Sequence, residues 1–160
     1  MRTRAQLLLA LLLLMSCTTA VQSVSEPGAG SRQVRSLYDA FARGDVPAVL
    51  GSFDPEIVWM EAENINYADR NPYRGPQAVL EGVFMRIGQD WQEFRVNVQE
   101  IVDGGDTVVA LGRYSAVNKT TKQPLDAQFV HVWRLRDGKI VRFQQYADTA
   151  QFARVTGAWK

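Results

Sequence analysis

The stretch HVWRLRDGKIVRFQQYAD, residues 131–148, decides how this chain is read. Two runs of alternating β-branched and aromatic residues flank Arg136-Asp137-Gly138-Lys139, a short polar link with a glycine, which is the chemistry of a hairpin turn. The stretch also holds the chain's one histidine, His131, and ends in the aromatic-x-acid triplet Tyr146-Ala147-Asp148. If this hairpin lines a cavity, His131, Tyr146 and Asp148 are its candidate polar groups.

Working toward the N-terminus, residues 94–102, 107–118 and 125–136 are β-rich, separated by Asp103-Gly104-Gly105-Asp106 and by the polar segment 119–124. With 140–148 they predict a four-stranded antiparallel meander. Ahead of the meander the period changes. Val34, Leu37, Tyr38 and Phe41 recur at helical spacing and Gly44 follows as a stop, so the spacing predicts an amphipathic helix over 31–43, with Ser31 as its cap. Asp45 opens a second, short helix with Pro47 in its first turn and Val49, Leu50 and Phe53 on its buried side; Asp54-Pro55 ends it. Residues 56–63, with Ile57, Val58, Trp59 and Met60, read as a strand, and 64–74 as a polar loop longer than a tight turn. Val79, Leu80, Val83, Phe84 and Ile87 return to helical period over 76–87, where Pro76 suits the first turn and Gly82 weakens the pattern. Three helices, one strand between the second and third, then a meander is an α+β order, with the helices laid on one face of a curved sheet.

The leader stands apart from this domain. Arg2 and Arg4 precede the apolar run from Leu7 to Met15, too short to span a bilayer as a mature helix but suited to a secretory signal, expected over 1–16. Leu14-Met15-Ser16-Cys17 resembles the bacterial lipobox, in which the cysteine is lipidated and becomes the mature N-terminus; an ordinary signal cut near Ala20 is the alternative. Cys17 is the chain's sole cysteine, so the domain is expected to be exported without a disulfide. Lipidation implies a place on the periplasmic face of a bacterial membrane. Residues 17–30, rich in Ser, Thr and Gly, read as a flexible tether reaching roughly 20 Å, and 31–160 as the domain. Without Arg2 and Arg4 the chain has 16 basic against 17 acidic residues, which is no nucleic-acid footprint.

The order of elements, together with Tyr38-x6-Asp45, Tyr73-Arg74-Gly75-Pro76, Asp137-Gly138-Lys139-Ile140 and Tyr146-x-Asp148, resembles the nuclear transport factor 2-like superfamily, and more narrowly its SnoaL-like and ketosteroid-isomerase-related branch. The resemblance implies a cone-shaped, curved antiparallel sheet closed by three N-terminal helices, a ligand cavity at one end, and dimerisation through the outer sheet face. It does not carry an activity, because the superfamily holds isomerases, cyclases, hydrolases, dehydratases and members without chemistry.

By that resemblance Glu61 falls where the isomerases hold their carboxylate base. Apolar neighbours such as Trp59 would raise its proton affinity toward neutral pH. A solvated carboxylate is the alternative, and alternation leaves both open: Ile57 and Trp59 share its face while Val58, Met60 and Ala62 make the other face apolar too. His131 falls near the isomerases' protonated carboxyl donor, where an imidazole can serve as electrophile, acid or ligand anchor, or else as a core histidine with one hydrogen bond. The isomerases' tyrosine position matches Leu37, so Tyr38, about 100° further round the helix, is expected to point elsewhere. Asp148 is either a base, as in the SnoaL-like pattern, or the N-cap of a helix over 149–155. Trp59 and Trp133, Tyr67 and Tyr73 in the long loop, and Arg113 and Tyr146 are the candidate ligand-binding groups. With one histidine, no cysteine in the domain and no glycine-rich fingerprint, the sequence contains no recognisable metal or nucleotide motif, and a cofactor-free site is expected. Two functions follow: a cavity that binds a small hydrophobic molecule and isomerises, cyclises or hydrates it through Glu61, His131 and Asp148, or a noncatalytic binding or assembly module on the same cone.

Overall fold

Val34, Leu37 and Ala40 form one stripe of the first helix, α1 (Ala29–Ala42), and that stripe is buried. The computed structural model describes residues 28–158, so the leader, Cys17 and nearly all of the expected tether lie outside the described residues. The helix starts two residues earlier than its spacing predicts. Gly28 takes the cap position, and Ser31 lies inside the first turn, its hydroxyl donating back to the Gly28 carbonyl at 3.0 Å. Helix α2 (Val46–Gly51) is capped as expected, Asp45 accepting from the Ala48 amide at 3.1 Å. Phe53 does not finish this helix. It opens strand β1 (Phe53–Met60) by pairing with Ile140, and the pairing then lapses until Val58, across Pro55, which has no N–H to offer a ladder.

The long loop carries a 3₁₀ turn (Ala68–Arg70) and the short strand β2 (Tyr73–Arg74). Gly75, at φ +81°, turns the chain into the third helix, which runs as α3 (Pro76–Val79), a π turn (Leu80–Phe84) and α4 (Met85–Asp90). Gly82 sits in the π turn for a steric reason: a Cβ there would lie 2.1 Å from the Tyr73 ring. Strands β3 (Trp91–Gly104), β4 (Thr107–Asn118), β5 (Pro124–Arg136) and β6 (Lys139–Ala147) form the antiparallel meander. Strand order is β2-β1-β6-β5-β4-β3, and because β1 runs parallel to β6 the six-stranded sheet is mixed. The sheet is curved and unclosed, the cone-shaped α+β architecture the motif order implied. Gly112 lets β3 and β5 close on β4, since a Cβ there would meet the Asn97 carbonyl at 2.2 Å and the Phe129 ring at 2.7 Å.

Two apolar clusters fill the cone. One lies under α1 and α2 with Trp59, Trp133 and Phe143; the other lies under the C-terminal helix α5 (Thr149–Thr156), where Phe152 packs on Trp91 and Tyr114. His131 sits where the two meet, against Phe129 of one and Trp133 and Phe143 of the other.

Candidate functional site

Sheet register assembles the site. Pairing of β4, β5 and β6 places Ala110, His131 and Gln145 in one row, and Met60 pairs with Gln144, which brings Glu61 to the end of that row. On one side lies the row Val108, Trp133, Phe143 and Trp59, and on the other Gly112, Phe129 and Ala147. A short row of polar side chains is thus held between apolar ones on the concave face. Glu61 and His131 both face a cavity between this row, α1 and the third helix, where the centre of a water molecule has about 50 Å³ of room.

Glu61 is only 2% exposed, and Trp59 Nε1 donates to its Oε1 at 2.5 Å. Its backbone is pinned from outside: Glu61 N–H donates to Asn71 Oδ1 at 3.0 Å, and Asn71 Nδ2 donates to the Glu61 carbonyl at 2.8 Å. Burial raises its carboxyl from 4.5 to about 7, and the hydrogen bonds from Trp59 and Gln145 offset only part of that. Near neutral pH it therefore holds and releases a proton.

His131, 4% exposed, is bonded on both ring nitrogens: the Tyr38 hydroxyl lies 2.7 Å from Nδ1, and the Tyr114 hydroxyl is bonded to Nε2. Burial lowers its ring from 6.5 to about 3, so the imidazole is neutral at neutral pH. The chain of hydrogen bonds continues at both ends. Trp133 Nε1 donates to Tyr38 at 2.9 Å and Gln145 Nε2 to Tyr114 at 2.8 Å, while Gln145 Oε1 accepts from the Ala62 amide at 3.0 Å. Among the described residues no three His, Cys, Asp or Glu side chains converge, so nothing here is arranged to hold a metal ion.

Residues 34–143 match the model of the SnoaL-like domain. The chain belongs to this family. Its fold is shared by a nuclear transport factor 2-like protein of Burkholderia thailandensis, 33% identical, covering 78% of this chain and 95% of that one at a TM-score of 0.75. A second such protein, from Burkholderia pseudomallei and of unknown function, is 27% identical over 81% of this chain and 98% of its own, with a TM-score of 0.74. TerC, co-crystallised with polyporic acid, has the same fold at 22% identity and a TM-score of 0.73, covering 81% of this chain and 99% of that one. No curated protein gives a match.

In this SnoaL-like domain Trp59 and Trp133, two of the candidate groups, line the cavity. Tyr38 does not point elsewhere. It lines the cavity beside Leu37, because a tyrosine is long enough to carry its hydroxyl back to His131 from a Cα turned away by one helical step. Tyr67 and Tyr73 are buried but lie outside the cavity lining. Tyr73 donates to the Tyr67 carbonyl at 2.5 Å, and Tyr67 donates to Asp90 at 2.8 Å while accepting from Trp91, so the pair ties the long loop down. Arg113 and Tyr146 fall on the opposite sheet face by strand alternation: Arg113 Nε donates to Asp126 at 2.6 Å and Tyr146 is 59% exposed. Asp148 also lies away from Glu61 and His131. It borders an outer depression with Arg113 and Tyr146, and its carboxylate caps α5 by accepting from the Gln151 amide at 3.1 Å.

Gln145 is the functional group that residue-type reasoning passes over, since an amide suggests no chemistry. A signal was present: it is a polar residue two positions from Phe143, on the strand face that also carries Ala147. Tyr114, beside Arg113 a candidate orienting group by residue type, stands between Gly112 and Ala116 on the inward period of β4.

Proposed function

We propose that this domain binds a small, mostly apolar molecule in the cavity and acts on it by cofactor-free acid/base chemistry, an isomerisation, cyclisation or hydration. The observation that carries this reading is the pairing, on one apolar cavity, of a buried carboxyl poised at about 7 with a neutral imidazole. Glu61 takes a proton from an acidified C–H and returns it, for which a proton affinity near the working pH is the efficient choice. The hydrogen-bonded groups around His131 stabilise the negative charge that develops on a substrate oxygen, at a place already desolvated. TerC's crystallisation with polyporic acid supports an aromatic, oxygen-bearing ligand class for the fold. Asp148 is left out of the chemistry because it caps α5.

A second reading, a noncatalytic binding or assembly module, is favoured by the cavity's size. About 50 Å³ holds a few water molecules, well below the several hundred usual for a ligand site. A bound ligand has to move side chains or extend into a neighbouring groove. The experiment that separates the two uses native mass spectrometry to identify a co-purified small molecule, followed by assay of Glu61→Gln on it. Enzymatic function predicts turnover lowered at least about 100-fold with binding retained. Binding without any turnover by the wild type favours the module.

We further infer that the domain is exported and held at the periplasmic face of a bacterial membrane by a lipid on Cys17. The support is the order Arg2, Arg4, apolar run, Leu14-Met15-Ser16-Cys17. The full chain should partition into membranes, with Cys17→Ala unlipidated; a wholly soluble wild type cut at Ala20 would refute this. We also infer a homodimer through the outer sheet face, supported by the cross-strand pairs Val109–Val132, Leu111–Val130 and Val130–Tyr146, which leave an apolar, incompletely covered stripe there.

A further inference from the structure

The hydrogen bonds around His131 leave one proton without a partner. A neutral imidazole carries one N–H and one acceptor nitrogen, and a tyrosine hydroxyl carries one proton and accepts up to two hydrogen bonds. Tyr38 meets Nδ1 and Tyr114 meets Nε2, so each of these two links consumes one proton. The three groups bring one proton each. One tyrosine therefore donates to the ring, while the other accepts from it and has its own O–H left over. Neither hydroxyl can place that proton on its remaining neighbour, because Trp133 Nε1 and the Gln145 amide nitrogen are donors only.

The surroundings decide which tyrosine keeps the spare proton. Tyr114 is fully buried, with the rings of Phe94, Phe129 and Phe152 at 5.3, 4.5 and 5.8 Å. Gln145 stands between it and Glu61 and donates to both. Both tyrosines line the cavity, but Tyr38 is less deeply buried and also borders a groove on the outside of the molecule between α1 and β3. An unpaired O–H is more costly the more completely it is shut off from bulk water. The lower-energy arrangement has Tyr114 donating to Nε2, Nδ1–H donating to Tyr38, and the Tyr38 O–H turned to the space it borders.

We propose that His131 is the Nδ1–H tautomer, that the Tyr38 hydroxyl is the cavity's free hydrogen-bond donor, and that the site therefore selects ligands bearing a carbonyl or similar acceptor oxygen. This rests on the reading of the cavity as a ligand site and narrows its ligand class. It also changes the role of His131. Both ring nitrogens are taken up by the tyrosines, so His131 is a positioning residue that aims Tyr38, and Tyr38 touches the ligand.

His131 is the chain's one histidine, so ¹⁵N-histidine labelling of the untagged protein gives a single imidazole to observe. The proposal requires a protonated-type shift at Nδ1 and a pyridine-type shift at Nε2. The opposite pattern moves the free donor to Tyr114 and overturns it, as does an imidazolium at neutral pH. Selectivity is tested with acetophenone and ethylbenzene, near-isosteres that differ by the carbonyl oxygen, followed through tryptophan fluorescence, since Trp59 and Trp133 line the cavity. The ratio of their affinities should fall about fivefold in Tyr38→Phe, the worth of one ordinary hydrogen bond. An unchanged ratio with both probes bound overturns the role of Tyr38 but leaves the cavity as a ligand site. Neither probe binding the wild type would remove the ligand site itself and the selectivity claim with it.

Discussion

Glu61→Gln should make the protein's stability respond differently to pH, and the size of the effect follows from the burial of the carboxyl. The folded state holds the Glu61 proton up to about pH 7, whereas the unfolded chain releases it at 4.5. A group whose proton affinity is raised by folding contributes stability that is fully present below 4.5 and is lost as the pH rises through 7. At about 1.4 kcal/mol per pH unit, the loss comes to about 3 kcal/mol. In the wild type His131 works the other way: the unfolded chain takes up its proton below 6.5 and the folded one only near 3, so stability falls as the pH drops through that window. Between 4.5 and 6.5 the two slopes oppose each other, and wild-type stability should be nearly flat. Glu61→Gln keeps the shape and an oxygen for Trp59 while removing the titration, so it leaves the His131 slope alone. Urea unfolding followed by tryptophan fluorescence from about pH 4 to about pH 8 should show the variant gaining about 3 kcal/mol on the wild type across the range. A variant-minus-wild-type difference that stays constant with pH would mean that Glu61 titrates alike in both states, and the buried-carboxyl argument would fail.

Three further outcomes are expected. Gly82→Ala forces a methyl into the Tyr73 ring, 2.1 Å from its nearest atom, and should lower stability by about 1–3 kcal/mol in the same unfolding assay; a neutral result would mean that the loop and third helix are not packed as described. Asp148→Ala removes the cap of α5 and should cost about 1 kcal/mol while changing acetophenone affinity less than about twofold, and a large loss of binding at unchanged stability would restore Asp148 to the site. Light scattering at micromolar concentration should give twice the monomer mass, and a strict monomer would leave the stripe of Val109, Leu111, Val130 and Val132 without its partner.

Much of the fold was legible because it is written in local periods. Strand β4 falls on 107–118 as its alternation predicts, and Asp45 and Asp148 cap helices where a carboxylate precedes a run of helical spacing. What local pattern does not carry is pairing between distant segments. The parallel contact of β1 with β6 joins residues about 80 positions apart, and it sets Glu61 beside Gln145 on the inner face, where alternation along a strand apolar on both faces left its side open. Tyr38 was misread because a helical wheel tracks Cα directions and ignores side-chain length. Gln145 was missed because its importance comes from what it joins, Glu61 on one side and Tyr114 on the other. The choice between base and cap for Asp148 was open from residue type alone, and the Gln151 amide at 3.1 Å accounts for its carboxylate.

The central claim is that Glu61 and His131 face one ligand cavity, and a crystal structure of the protein soaked with acetophenone tests it most directly. The account predicts the molecule between Glu61 and Tyr38, its carbonyl oxygen on the Tyr38 hydroxyl and its ring against Trp59 and Trp133. Acetophenone seated in the outer depression beside Arg113 and Asp148, with the space between Glu61 and His131 still closed by side chains, would contradict it.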